Sequence, residues 1–187
     1  ILIGLVGSEM CIRDRVCCDG AANTYIRSGR MPEAIVGDGD SLLPDIKERY
    51  ASLIHSEAEQ ETNDLSKAFR FCLSQERKRI TIMGATGKRE DHTIGNVSLL
   101  ADYMEQAEVS MMTDYGIFVP IREDSMFESY IGQQISVFNM NSTALSAEGL
   151  AYPLSVFTNW WQGTLNEALA RHFIIRTEGK VLVFRVF

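Results

Sequence analysis

The sequence predicts an N-terminal α/β domain with a mostly parallel sheet, followed by a small all-β domain. Three observations predict it. Short apolar runs alternate with amphipathic segments from Val16 to about Thr113, which is the rhythm of strand–helix units. Beyond about Pro120, short β-prone runs follow one another with no long amphipathic helix between them. The length of 187 residues, 45% hydrophobic and 23% charged, suits one large or two small globular domains. The expected division is 16–120 and 121–187, with 1–15 set apart.

Val16-Cys17-Cys18 is the first strand of this pattern and runs into Asp19-Gly20. A helix follows over Ala21–Ser28, with Gly29 placed to stop it. Ala34-Ile35-Val36 is the next strand, ending in Gly37-Asp38-Gly39-Asp40-Ser41. A helix around Asp45–Ser52 leads to a short strand at Leu53–His55. Thr62 is the expected N-cap of a longer helix, in which Leu65, Ala68, Phe69, Cys72 and Leu73 make one apolar face. Ile80–Met83 is a strand followed by the loop Gly84–Glu90. The helix after it carries Ile94, Val97, Leu100, Ala101 and Met104 at helical spacing, and Val109–Thr113 closes the alternating half. The β-prone runs are Met126–Tyr130, Gln134–Phe138, Phe173–Arg176 and Val181–Val186. Each half is small enough for its core to be marginal alone, which favours a dimer.

Residues 1–15 read differently. Gly7-Ser8-Glu9-Met10-Cys11-Ile12-Arg13-Asp14-Arg15 resembles translated sequencing-adapter read-through, and Glu9 after a short apolar run does not make a signal peptide. The segment is therefore expected to be non-native, in the place of a genuine first strand and its loop.

Composition excludes several function classes. No apolar run approaches the roughly 20 residues that span a bilayer. The net charge of -7 and the absence of a basic block argue against a nucleic-acid partner. Cys11, Cys17, Cys18 and Cys72 make no C-x-x-C pair, which fits buried free thiols in a reducing cytoplasm.

The polar residues gather where ligands bind in parallel α/β sheets, beyond the carboxyl ends of strands. Asp19, the Asp38/Asp40 pair and the 84–91 loop each follow a strand; Asp64 lies in the first turn of a helix. In an extended chain residues two apart share a side, so Asp38 and Asp40 can reach one Mg²⁺, an ion that takes a few carboxylates plus phosphate oxygens. A plain Asp-Gly turn is the competing explanation. The glycines of the 84–91 loop permit close backbone approach to phosphate, and Arg89 offers a fork of donors. The loop lacks the order of a Walker P-loop. Asp91 could equally cap its helix, and His92 could be solvated. Asp64 suits a helix N-terminus whatever its function, and Gln60 and Lys67 would be ordinary surface residues.

In order along the chain, Asp19-Gly20-Ala21-Ala22-Asn23 resembles the D-G-A-A-N motif of the thiamine pyrophosphokinase family, and Ile35–Ser41 its I-[VI]-G-D-x-D-S. Thr62–Ala68 is similar to its T-D-x-x-K-A region, and Gly87–Asn96 to G-x-R-x-D-H-x-x-x-N. Ser146–Leu154 and Gly163–Glu167 resemble G-L-x-Y-P-L and G-x-S-N-E. Departures are Thr164 for the usual Ser, Gly39 between the paired aspartates, and Asn63 where an acidic residue is frequent.

The resemblance implies an enzyme that transfers a pyrophosphoryl group from ATP to thiamine. It implies a Rossmann-like N-terminal domain, a C-terminal β-sandwich and a homodimer. Asp38, Asp40 and Asp64 would hold Mg²⁺ and, with Asp91, form the catalytic set. Asp19, Asn23, Thr86, Gly87, Arg89, Asp91 and His92 would lie along the nucleotide. Gln60 and Asp64 of one subunit would face Ser146, Tyr152, Thr164 and Asn166 of the other around thiamine. Two other readings stand beside it: a Mg²⁺-dependent phosphotransferase or phosphohydrolase on another small molecule, and a non-catalytic nucleotide- or thiamine-binding module.

Overall fold

The computed structural model describes residues 2–6, 12–57, 59 and 61–187. It has a mixed α/β architecture that divides into two compact units, residues 1–96 with 106–109, and residues 97–105 with 110–187.

In the first unit the strands are β1 (Leu2–Val6), β2 (Ile12–Cys18), β3 (Ala34–Gly37), β4 (Ile54–Ser56) and β5 (Arg79–Met83). Their order is β5-β1-β2-β3-β4. The pairs β2–β3 and β3–β4 are parallel, whereas β1 is antiparallel to both β2 and β5. Four strands therefore run one way and β1 opposes them. Residues 2–6 do supply a strand, and its direction follows from chain length. Only five residues separate β1 from β2, too few for the dozen or more that a parallel crossover needs.

The helices of this unit are α1 (Asp19–Arg27), α2 (Pro44–Arg49), α3 (Asp64–Ser74) and α4 (Glu90–Ser98), the last crossing the unit boundary. Helix α1 begins at Asp19, earlier than the sequence suggested, with the extended Cys18 as N-cap. Gly29 follows its C-cap in the left-handed region at φ 81°. A short 3₁₀ turn over Ala51–Leu53 separates α2 from β4. Cys17, Ala22, Tyr25, Ile35, Leu42 and Ile46 form one core cluster. The apolar face of α3, Leu65, Ala68, Phe69 and Cys72, is fully buried.

In the second unit α5 (Leu100–Tyr103) precedes an antiparallel array. The strands are β6 (Glu108–Met112, whose first two residues belong to the first unit), β7 (Gly116–Ile121), β8 (Ser125–Glu128), β9 (Gln134–Asn139), β10 (Leu145–Glu148), β11 (Asn166–Glu167), β12 (His172–Thr177) and β13 (Val181–Val186). They run in the order β11-β9-β13-β7-β6 in one sheet and β10-β12-β8 in another. Ile135 and Val137 of β9 and Val181 and Val183 of β13 share one core with Phe127 of β8 and Phe173 and Ile175 of β12. Alternation places Leu145 and Ala147 of β10 in that core, so Ser146 and Glu148 project from the other face. Pro120 sits inside β7, opposite Leu182 of β13. The pairing of β6 with β7 is confined to Ile117 and Phe118, so the missing Pro120 N–H interrupts no ladder on that side.

Gly163 closes a 3₁₀ turn, Trp160–Gly163, that packs on β9. A Cβ at this glycine would stand 1.8 Å from the Val137 carbonyl oxygen. Gly163→Ala is expected to cost about 1–3 kcal/mol by forcing the turn off the strand, read as a fall in urea midpoint without a change in the slope of the transition.

Candidate active site

Asp19 follows β2 directly and is buried. Its Oδ2 accepts a hydrogen bond from the Ser41 backbone N–H at 3.0 Å. Its Oδ1 is buried and has no hydrogen-bond donor. Burial raises the Asp19 pKa, the Ser41 bond opposes that rise, and the nearby Asp64 and Asp38 carboxyls add to it. A carboxylate so placed has lost water and gained like-charged neighbours. Gly37, at the end of β3, is what admits this approach: a Cβ there would lie 2.7 Å from the Asp19 Cβ.

Asn23 lies one helical turn beyond Asp19. Its Nδ2 donates to Ser41 O at 2.7 Å and its Oδ1 accepts from Leu43 N at 3.1 Å. Both ends of its amide thus build the loop after β3. That loop turns where the sequence argument took it as extended. Gly39 is left-handed at φ 80°, the Asp40 N–H donates to Asp38 Oδ1 at 3.1 Å, and Lys47 Nζ donates to Gly39 O at 3.1 Å. Asp38 is half-buried towards Asp19, while Asp40 is exposed and, with Gly39 and Lys47, borders a depression of about 460 Å³.

Asn63, in place of Thr62, caps α3: its Oδ1 accepts from Ser66 N at 2.9 Å. The Thr62 hydroxyl instead donates to Glu59 at 2.6 Å and accepts from Arg70 at 3.1 Å. Arg70 also pairs with Glu57 at 2.9 Å and Glu59 at 3.1 Å. Asp64 is therefore the first helical residue, and its backbone carbonyl accepts from the Cys18 thiol at 3.5 Å, at the end of β2. Lys67, which the sequence assigned to the surface, is buried with its Nζ 3.6 Å from Asp64 Oδ1. The i,i+3 spacing from Asp64 was the one signal for it. Gln60 lies outside the described residues.

In the loop after β5, Gly84 and Gly87 are both left-handed. Thr86 is half-buried, while Arg89, Asp91 and His92 are exposed. Arg89 grips Asp91 with two bonds, Nε at 3.1 Å and Nη2 at 2.6 Å. That grip holds the Asp91 carboxyl below its ordinary pKa. Asp91 Oδ1 also accepts from the His92 N–H at 2.9 Å. A phosphate reaching Arg89 would compete with Asp91 for the same fork.

In the second unit Tyr152, Thr164 and Asn166 line one concavity of about 300 Å³, with Phe157 and Gln162. Ser146 is not in its lining. Asn166 is buried and staples the wall: its Nδ2 donates to Tyr152 O at 2.8 Å, and its Oδ1 accepts from Tyr152 N at 3.0 Å and Glu167 N at 2.9 Å. The Thr164 hydroxyl donates to Trp161 O at 2.7 Å. Of the three, Tyr152 leaves its ring open, 65% exposed.

Burial pushes the Cys17, Cys18 and Cys72 thiols up to about 12, so none is a nucleophile at neutral pH. Among the described residues no group of three His, Cys, Asp or Glu side chains could hold a metal ion as the side chains stand. No helix among them is long and apolar enough to cross a membrane.

The family model described as thiamin pyrophosphokinase, catalytic domain, matches residues 12–112, and that described as thiamin pyrophosphokinase, substrate-binding domain, matches 116–184. The chain belongs to the thiamine pyrophosphokinase family. Thiamine pyrophosphokinase 1 of Oryza sativa subsp. japonica is 30% identical over 132 residues, covering 57% of this chain and 50% of that protein. Thiamine pyrophosphokinase of Bacillus subtilis is 34% identical over 86 residues, covering 44% and 40%. The chain spans about half the length of the curated relatives it matches. The crystal structure of the Bacillus subtilis thiamine pyrophosphokinase aligns with a TM-score of 0.79 at 22% identity, over 91% of this chain and 86% of that one. The yeast enzyme's structure aligns at 0.73 and 17% identity, over 92% and 78%. At those identities the likeness is one of fold.

Gly37→Ala is expected to push Asp19 away from the β3 loop and lower the thermal midpoint by several degrees, at about 1–3 kcal/mol for overpacking. Asn166→Ala strands two backbone N–H groups and a carbonyl, which should cost about 2 kcal/mol. Its expected signature is faster hydrogen exchange at Tyr152 and Glu167 with the α1 amides unchanged.

Proposed function

We propose that this protein transfers the pyrophosphoryl group of ATP to the hydroxyl of thiamine, giving thiamine diphosphate and AMP. The observation that carries the reading is the meeting of Asp19, Asp38 and Asp64 at the carboxyl ends of β2 and β3 and the start of α3. Three carboxyls in that position, one buried with an unpartnered oxygen, need a cation or a proton. Mg²⁺ fits the chemistry of these donors: hard carboxylate oxygens, with the rest of the shell from phosphate and water. A cage of three protein ligands is not required for that ion. Asp38, Asp40 and Asp64 would hold it, and Asp19 joins them as the residue whose Oδ1 has no other partner. When bound, the ion would neutralise charge on the ATP phosphates.

The chain's own residues have the remaining work of binding and alignment. Arg89, Asp91, His92 and the backbone of Thr86 and Gly87 flank the phosphates at the start of α4, and Asn23 holds the loop that presents Asp38. The thiamine hydroxyl oxygen forms a bond to the β-phosphorus, the bond from that phosphorus to the α–β bridging oxygen breaks, and AMP leaves with the electron pair. Asp64 accepts the hydroxyl proton. Tyr152 stacks on the cationic ring system, within a pocket shaped by Thr164 and Asn166. We assign the first unit to a Rossmann-like nucleotide domain and the second to a β-sandwich. The enzyme would be a homodimer in which Gln60 and Asp64 of one subunit face Tyr152 and Thr164 of the other, in the cytoplasm, where the free Cys17, Cys18 and Cys72 would stay reduced.

Incubation with thiamine, ATP and Mg²⁺ is expected to yield thiamine diphosphate and AMP in equal amounts. ADP in place of AMP would mean a different phosphotransferase, and thiamine binding without product a non-catalytic module. Asp64→Asn should lower kcat about a hundredfold, the low end of general-base contributions, and full turnover by that variant would remove Asp64 from the role.

A further inference from the structure

Asn63 and Asn96 lie within the segments that resemble the family motifs but have no place in the chemistry above, and their side chains meet. Asn63 Oδ1 accepts from the Ser66 N–H at 2.9 Å as the α3 cap. That fixes which end of the Asn63 amide is oxygen, so its Nδ2 faces Asn96 Oδ1, a long contact at 3.4 Å. Asn96 in turn must present its Nδ2 to the other side, where it donates to Ala85 O at 2.9 Å. Asn96 is 6% exposed and Ala85 5%. The bonds run in one direction, from the α3 cap through two amides to the carbonyl of the glycine loop after β5. Reversing either amide would set oxygen against oxygen.

We propose that Asn63 and Asn96 act as a pair of positioning residues that fix the 84–89 loop relative to the N-terminus of α3. Through them the phosphate-side groups, Arg89 and Asp91, are held in register with Asp64. This rests on the reading of the site given above. It also accounts for Asn63 where an acidic residue is frequent in the family. A carboxylate at 63 would cap α3 equally well but has no proton to donate to Asn96 Oδ1. In this chain the two positions are matched as an amide pair. Neither residue touches the reacting atoms, so their effect is on geometry.

The test is a double-mutant cycle with Asn63→Ser and Asn96→Ala. Serine keeps the helix cap, adds no charge beside Asp64, and is too short to reach Asn96. Each single variant is expected to speed hydrogen exchange of the Gly84–Arg89 amides in the ligand-free protein and to raise the KM for ATP about fivefold, the equivalent of one net hydrogen bond. The KM for thiamine should stay within twofold, and the double variant should be no worse than Asn96→Ala alone. Additive effects, or unchanged exchange in the loop of Asn63→Ser, would overturn the pairing. Because Asn96→Ala also opens a small cavity, Asn96→Ser is run beside it, and the two should agree in exchange and in KM. Exchange is read without substrate. If the wild-type protein makes no thiamine diphosphate but the variants show the expected exchange pattern, the pair is upheld and the proposed reaction is refuted.

Discussion

The first unit is organised around one electrostatic constraint, the burial of the Asp19 carboxylate beside two other carboxyls. Burying a charge is costly unless something compensates it. Here the compensation within the chain is partial: one backbone N–H reaches Oδ2, and Oδ1 receives none. Much of the local architecture serves that placement. Gly37 lacks the Cβ that would exclude it, Asn23 ties the facing loop by both ends of its amide, and Lys67 sets a buried ammonium near Asp64. The Asp19 Oδ1 left without a donor is the part of this arrangement that works against the stability of the empty site.

The two units divide the work in different physical terms. The first collects carboxyls and glycine turns at strand ends and helix N-termini. The second spends its polar groups on shape. Asn166 and Thr164 give their hydrogen bonds to backbone and leave an open aromatic ring, Tyr152, at the edge of a concavity. Leu165 between them is held at φ 62° and is 73% exposed, a costly conformation for a leucine. Both features set the form of the wall.

The strand–helix alternation was legible because apolar runs and glycine punctuation encode it locally. The strand Val181–Val186 agrees with the sequence pattern residue for residue, and the apolar face of α3 does so except at Leu73, which is half-buried. The direction of β1 was not legible as a pattern, though the five residues before β2 decide it. β7 was hidden by Pro120, a residue tolerated only because β6 does not pair that far along. In the site, Asp19, Asp38 and Asp64 were all visible as polar residues at element ends. What could not be read was the burial of Asp19 beside the other two carboxyls, which depends on the absence of a Cβ at Gly37, eighteen residues further along the chain. The Asp38/Asp40 geometry was misjudged since Gly39 turns the chain. Thr62 and Asn63 are both good caps, and only the loop clasped by Arg70 decides between them. Lys67 carries no apolar signal, so its burial had to come from packing.

Thermal unfolding of the wild type and of Asp19→Asn, each with and without Mg²⁺ and a non-hydrolysable ATP analogue, tests the electrostatic constraint most directly. The neutral amide removes a buried charge, so the variant should melt above the wild type in the absence of ligand. Added Mg²⁺ and nucleotide should then raise the wild-type midpoint by several degrees and leave the variant nearly unmoved. A variant that melts below the wild type when empty, or that gains as much from Mg²⁺ and nucleotide, would contradict the role given to Asp19.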